Sequence, residues 1–238
     1  MDNIKATILS TRPLEDSDLS DAGKKNILVE CVPFIQTIPL NEKNIKIRVN
    51  ELVSVNADVV FTSMNAVKAV AEIVGDRMVN WNVYAIEGTT SIKVTQLLKG
   101  VRLAATAHYG KELAEKIIRL DNLKEVHFFC GNIRRDELPD TLKAAGIVVN
   151  ETQVYKTIPT PHSLGKQYNG ILFFSPSGVE SFFSANSVGP QTVLFAIGRT
   201  TAEAIQTFTA GKTTNKIIIS NKPYKRDLIS NAVEYFSA

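Results

Sequence analysis

The sequence predicts an α/β protein of two lobes, each a five-stranded parallel sheet with flanking helices, joined by a two-stranded connector. Three observations predict it: short apolar runs alternate with helical patterns, an internal repeat covers most of the chain, and each repeat contains one unusually long strand pattern. The apolar runs lie at 4–10, 27–37, 58–62, 82–86 and 101–105, and again at 125–130, 147–157, 170–174, 193–197 and 216–220. Strand-length runs separated by helix-length patterns signal βαβ units, whose parallel sheets are covered on both faces. Between them, the stretch 64–74 sets Met64, Val67, Val70, Ala71 and Val74 on one helical face and stops at Gly75. Further helix stops are expected for 136–145 at Gly146, after Thr90 at Gly100, and after Thr201 at Gly211.

The repeat appears when the second set is laid on the first. ATILSTR matches VHFFCGNIR with Leu9 over Phe129, and NILVECVPFIQT matches GIVVNETQVYKT with Val29 over Val149, both at an offset of 120. VFTSMNAV matches LFFSPSGV with Ser63 over Ser175 at 112, and YAIEGTTS matches FAIGRTTA with Thr90 over Thr201 at 111. The last helices align Tyr109 and Leu113 with Tyr224 and Leu228 at 115. Five matched segments in one order, with offsets drifting only through loop lengths, mark a duplication. Each copy then has a flavodoxin-like order of parallel strands, in which loops after the strand ends face a ligand-binding crevice. The strands 27–37 and 147–157 would span roughly 35 Å if fully extended, more than one small sheet needs. Each is therefore expected to leave its own lobe and continue toward the other. That places lobe one at 1–36 plus 159–238 and lobe two at 38–155, with connector strands at 33–38 and 153–158.

Composition narrows the function classes. The chain has 238 residues, 44% of them hydrophobic, enough for one large core or two small ones. A net charge of +3, with both signs scattered throughout, supplies no basic tail for nucleic acid. Cys31 and Cys130 each sit in an apolar run and read as buried thiols in a reducing compartment, with no CxxC pair. The opening MDNIKATILS lacks the form of a signal peptide, and no apolar run approaches 18 residues, so a cytoplasmic protein without a membrane partner is expected. His108, His127 and His162 are scattered, and neither metal-ligand spacing nor a Ser-His-Asp set is visible. GxGxxG and Walker loops are missing too, so the expectation is no metal and no cofactor.

Four strand ends share a pattern of small hydroxyl residues before a helix: Thr62-Ser63, Gly88-Thr89-Thr90, Ser175-Pro176-Ser177-Gly178 and Gly198-Arg199-Thr200-Thr201. Such Ser and Thr residues cap helices, and Pro176 suits a first helical position. The same geometry offers N–H donors and a positive dipole end to anionic oxygens, so these loops suit a polyanion. Arg12 and Arg134 occupy equivalent strand ends, where either could pair with a carboxylate or stay in solvent. Tyr155, on a long connector strand, is either packing or a hydrogen-bond and proton donor to a ligand.

The segments FxSPSG at 173–178, AIGxTTA at 196–202, CGNIRRDELPDTLKAAGI at 130–147, TQVYKT at 152–157, TRP at 11–13 and FTS at 61–63 together resemble the uroporphyrinogen-III synthase family. The resemblance runs nearly end to end. It implies two flavodoxin-like lobes joined by a two-stranded ladder with the substrate between them, no cofactor, and a monomer. It also implies a reaction: hydroxymethylbilane, a linear tetrapyrrole with eight carboxylates, closes to uroporphyrinogen III with inversion of ring D and loss of water, the bilane arriving from hydroxymethylbilane synthase. Carried across motif by motif, it assigns substrate contacts to Thr62, Ser63, Thr90, Ser175, Ser177 and Thr201, places Asn132 and Arg134 nearby, and makes Tyr155 the candidate acid. Arg12, Gly198 and Thr200 join that set from their strand ends. Two departures weaken the anion site of lobe two: Glu87 stands where the family often has Gly, and Asn65 is near a common basic position. The competing reading is a non-catalytic two-lobed binder of the periplasmic-receptor type; a two-lobed glycosyltransferase would want larger lobes and a diphosphate site.

Overall fold

Val, Ile and Phe crowd the apolar runs, and the central runs become strands buried by helices on both faces. A computed structural model describes residues 4–120, 123–210 and 214–237. In chain order the elements begin with β1 Ala6–Ser10, α1 Asp16–Lys24, β2 Ile27–Cys31, β3 Ile35–Pro39, α2 Lys43–Val53, β4 Asn56–Phe61 and α3 Met64–Val74. Next come β5 Asn80–Ile86, α4 Thr89–Leu97, β6 Arg102–Ala107, α5 Gly110–Ile118, β7 Glu125–Gly131 and α6 Glu137–Ala144. The chain finishes with β8 Val148–Pro159, β9 Gly170–Phe173, α7 Pro176–Phe183, β10 Val193–Ala196, α8 Arg199–Thr209, β11 Ile217–Ile219 and α9 Lys225–Ser237.

The chain divides into two compact units, one of Met1–Gln36 and Ile158–Ala238, the other of Thr37–Thr157. In the first unit the sheet order is β11-β10-β9-β1-β2. β1 pairs in parallel with β2, Ile8 opposite Val29, and with β9, Leu9 opposite Ile171. One face of this sheet packs Leu9, Ile171, Phe173 and Leu194 against Val179 and Phe182 of α7 and Ile205 of α8. The other packs Ile8, Leu172 and Phe195 against Ala22 of α1 and Leu228, Ala232 and Val233 of α9.

The second unit has the order β3-β8-β7-β4-β5-β6. β4 is parallel to β5, with Val59 opposite Val83, and to β7, with Phe61 opposite Phe129. Phe61 and Phe129 stack with centroids 5.6 Å apart beside Trp81, on the face covered by α2, α3 and α4. Val60, Tyr84 and Phe128 fill the opposite face against Leu113 and Ile117 of α5 and Leu138 and Leu142 of α6. Leaving β3 aside, both sheets follow the doubly wound order 2-1-3-4-5 when strands are counted within a repeat. Each sheet takes its first two strands from one repeat and its last three from the other.

Several expectations need correction. The run 27–37 is two strands rather than one: Pro33 has no N–H to continue a ladder, and Phe34 turns inward against Phe182 at 5.1 Å. The sheets consequently have five and six strands, not five each. Not every pair is parallel, either. Leu40 N–H donates to the Val154 carbonyl and Thr160 N–H to the Phe34 carbonyl, so β3 and β8 run in opposite directions. The strand expected at 101–105 lies at Arg102–Ala107, and that expected at 216–220 is the shorter Ile217–Ile219. Cys31 is exposed rather than buried because β2 is an edge strand, while Cys130 is buried as expected. The helix α3 starts and stops where periodicity placed it, its chain reversed by Gly75 at φ 63. The expected stop at Gly211 lies outside the described residues.

Candidate functional site

In the second unit, the loops that follow β4, β6 and β7 converge on one hollow of about 290 Å³. Thr62, Ser63, Arg134 and Tyr155, all anticipated from sequence, line it together with Ile86, His108, Tyr109, Gly131, Ile133, Arg135 and Glu137. Ser63 is the N-cap of α3, and its hydroxyl accepts the Asn65 N–H at 3.2 Å. Tyr155 is 7% exposed, and burial pushes its phenol above the usual tyrosine range although the nearby Ser63 hydroxyl acts in the opposite direction. A phenol in that condition stays protonated at neutral pH and can act as a proton donor.

Tyr155 reaches the hollow through a local irregularity. Cys130 stands opposite Gln153, but the next residue, Gly131, stands opposite Tyr155, so β8 carries one extra residue at this point. As a result the consecutive residues Val154 and Tyr155 both pack into the cluster on the face covered by α2, α3 and α4, where regular alternation would send them to opposite faces.

The two other residues anticipated here are already engaged. The side-chain amide of Asn132 donates to the Thr157 carbonyl at 3.1 Å and accepts the Thr157 N–H at 2.7 Å, so it grips the β8 backbone. Arg134 is ion-paired with both Asp136 and Glu151, and Glu151 also takes Lys143 at 2.8 Å. Burial works against the Arg134 charge, but these carboxylates hold its pKa above the ordinary value. Glu87, which sequence reasoning counted against anions, lies 3.3 Å from His108 Nε2.

The first unit presents its own strand ends. Ser175 is the N-cap of α7, its Oγ accepting the Gly178 N–H at 3.1 Å and lying 3.1 Å from Ser177 Oγ, with Pro176 at the first helical turn. The Arg12 guanidinium sits 5.3 Å from the Phe174 ring centroid. Gly198 is the N-cap of α8, Thr200 is exposed, and Thr201 is only 2% exposed. In the second unit Gly88 likewise caps α4, and Thr90 is 7% exposed. Neither Thr90 nor Thr201 is therefore a cap. Glycine provides the cap, and the threonines fall two or three residues later on the inward face. No hydrogen bond to either hydroxyl is found among the described residues. The two hydroxyls stand at matched positions of the duplication.

Sequence reasoning missed Tyr109 and Ile133, which are 58% and 57% exposed at the rim of the hollow. A signal existed. Tyr109 directly precedes α5 as Tyr224 precedes α9, and an exposed aromatic kept at both ends of a duplication is unusual for a merely solvated site.

Two doubly wound units with capped helix starts, and with a buried phenol and hydroxyls at their strand ends, define a two-lobed α/β protein. The particular family is given by comparison: a model described as uroporphyrinogen-III synthase HemD matches residues 19–222, and the chain belongs to that family. It is accordingly a uroporphyrinogen-III synthase, a cyclising lyase of porphyrin biosynthesis acting on a tetrapyrrole, and the receptor-type reading is not favoured. The fold is similar to that of uroporphyrinogen-III synthetase from Helicobacter pylori, at 16% identity and TM-score 0.71 over 97% of this chain and 99% of that one. It is also similar to a mutant uroporphyrinogen III synthase from the extremely thermophilic bacterium Thermus thermophilus, at 12% identity and TM-score 0.61 over 97% and 98%. At such identities these likenesses speak to the fold. Among the described residues, no helix is long and apolar enough to cross a membrane.

Proposed function

We propose that the hollow of the second unit holds the hydroxymethyl end of hydroxymethylbilane and that Tyr155 is its proton donor. The observation that carries this reading is the buried Tyr155 phenol on the wall of a hollow at the strand ends, beside Thr62, Ser63 and Arg134. Donation of the phenolic proton lets the hydroxymethyl oxygen leave as water, and the terminal pyrrole becomes an electron-poor azafulvene. Ring D attacks that carbon through its substituted position, giving a spiro intermediate that fragments and recloses in the flipped sense. The proton released as the pyrrole regains aromaticity returns to the phenolate, so the enzyme ends unchanged.

No strong nucleophile is needed, since the bilane closes unaided to the uninverted isomer. The protein's task is to hold a flexible chain in one geometry. Thr62 and Ser63, with Arg135 and His108 nearby, supply donors for acetate and propionate groups, while exposed Tyr109 and Ile133 offer apolar faces to a pyrrole ring. Thr90, outside that lining, is a further donor at the start of α4. Asn132 and Arg134 serve as the frame of the hollow, because their polar atoms are bound within the protein. The first unit repeats the anion-binding chemistry at Arg12, Ser175, Ser177, Gly198, Thr200 and Thr201.

The chain is further read as a cytoplasmic monomer that takes its substrate from hydroxymethylbilane synthase. What supports this is the bilane's tendency to close spontaneously, which penalises a long free lifetime. The test supplies the purified protein with enzymatically generated hydroxymethylbilane, oxidises the product and separates the porphyrin isomers. Type III product is expected; type I alone at the spontaneous rate sinks the assignment.

A further inference from the structure

Tyr155 is held by the strand beside it. At Gly131 an added Cβ would overlap Tyr155 Cζ and come within 2.6 Å of Cε2 and 2.8 Å of the hydroxyl, so the phenol ring lies against the bare Cα. The approach exists because of the extra residue in β8, which brings Tyr155 opposite Gly131 after Gln153 stood opposite Cys130. Beyond that point the side chain of Asn132 replaces a ladder, taking both the N–H and the carbonyl of Thr157. Bulge, bare Cα and amide clamp therefore act on one five-residue stretch of β8 and fix where the Tyr155 hydroxyl ends.

The other repeat lacks this arrangement. At the same offset of 120, Thr11 stands for Gly131 and Ile35 for Tyr155. Thr11 turns its hydroxyl onto the Leu172 carbonyl at 2.7 Å, and its partner position carries no aromatic ring. The pair Gly131 and Tyr155 is thus a feature of one unit only, and the fold does not require it.

We propose that Gly131 is a positioning residue for the reaction: it admits the Tyr155 ring and sets where the phenol hydroxyl stands in the hollow. This rests on the reading of Tyr155 as proton donor. Gly131 also lines the hollow, but the role assigned to it runs through Tyr155.

The test combines Gly131→Ala, Tyr155→Phe and the double variant, with kcat, KM and the type III to type I ratio measured for each. Gly131→Ala is expected to lower kcat at least about 10-fold with KM changed less than about 3-fold, and to raise the type I share. In the double variant the second change should add no further loss, since the hydroxyl being positioned is already missing. Gly131→Ala at the wild-type rate, or losses that multiply in the double variant, would overturn the inference while leaving Tyr155 as donor intact. Tyr155→Phe at the wild-type rate would overturn the donor reading and this inference with it. Should Gly131→Ala fail to fold, Gly131→Ala/Tyr155→Ile, patterned on the Thr11 and Ile35 pair, is expected to recover the wild-type Tm to within a few degrees. Failure to recover would show that the ring of Tyr155 is not what Gly131 accommodates.

Discussion

Replacing Thr201 by Val should leave stability nearly unchanged and lower activity. Thr201 is the third residue of α8, 2% exposed, with Ala202 and Ile205 in the core beside it. Its hydroxyl has no hydrogen-bond partner among the described residues. The oxygen keeps contact with solvent, unlike the sealed and unpartnered Ser181 Oγ and Asn231 Oδ1, so it carries little desolvation cost. Valine keeps the shape and removes an oxygen that water reaches, so stability should change by less than about 0.5 kcal/mol. If the hydroxyl instead meets a substrate carboxylate, its loss removes a charged hydrogen bond of about 1.5–3 kcal/mol, or roughly 10- to 150-fold in kcat/KM. Denaturant unfolding reads the first effect, and porphyrin-isomer analysis with enzymatically generated bilane reads the second. Thr201→Ser is the control: it keeps the oxygen and deletes a methyl, so activity should hold while stability falls by about 1 kcal/mol. Thr201→Val with wild-type kcat/KM would refute the argument and reduce Thr201 to a packing residue.

The N-cap of α7 and the acid limb of stability offer two further tests. Ser175→Ala removes the acceptor of the Gly178 N–H and should lower stability by about 1 kcal/mol in a urea melt; an unchanged midpoint would mean water replaces the cap at no loss. Asp18 closes a capping box on the Glu15 amide and lies 2.6 Å from Lys225 Nζ. Burial alone would raise its carboxyl, but Lys225 and the amide win and hold it below the ordinary value of 3.8. A depressed folded value contributes stability that is present above the unfolded pKa and lost as pH falls through the folded one. Asp18→Asn should therefore be destabilised by about 1 kcal/mol at pH 7, with the gap to wild type closing as pH falls below 3.8 and through the lowered folded value. A gap that is equally wide at both pH values would contradict the charge argument.

Much of the fold was legible because its signals are local. The α3 stripe ends at a glycine, the strands are apolar runs of the right length, and the duplication gives each motif a second reading. What escaped detection depends on partners far away in sequence. The bulge in β8 exists only relative to β7, so no pattern in TQVYKT announces that Val154 and Tyr155 both turn inward. The break at Pro33 was legible in principle; the strong apolar run around it outweighed a single missing N–H. Thr90 and Thr201 were read as caps because a helix boundary was placed too late, after glycines whose capping role is carried by backbone alone. Arg134 looked like a free cation until Asp136 and Glu151 came to it through the β7–α6 loop and the neighbouring strand.

The exchange of strands between repeats has a consequence for biosynthesis. During translation the unit spanning Thr37–Thr157 emerges whole and can fold while the chain is still being made. Residues of β1 and β2 leave the ribosome first, yet β1 lacks its other neighbour until Gly170–Phe173 arrives, some 160 residues later. For that interval the oldest part of the polypeptide carries an open apolar edge, and the first unit closes last, from both chain ends at once.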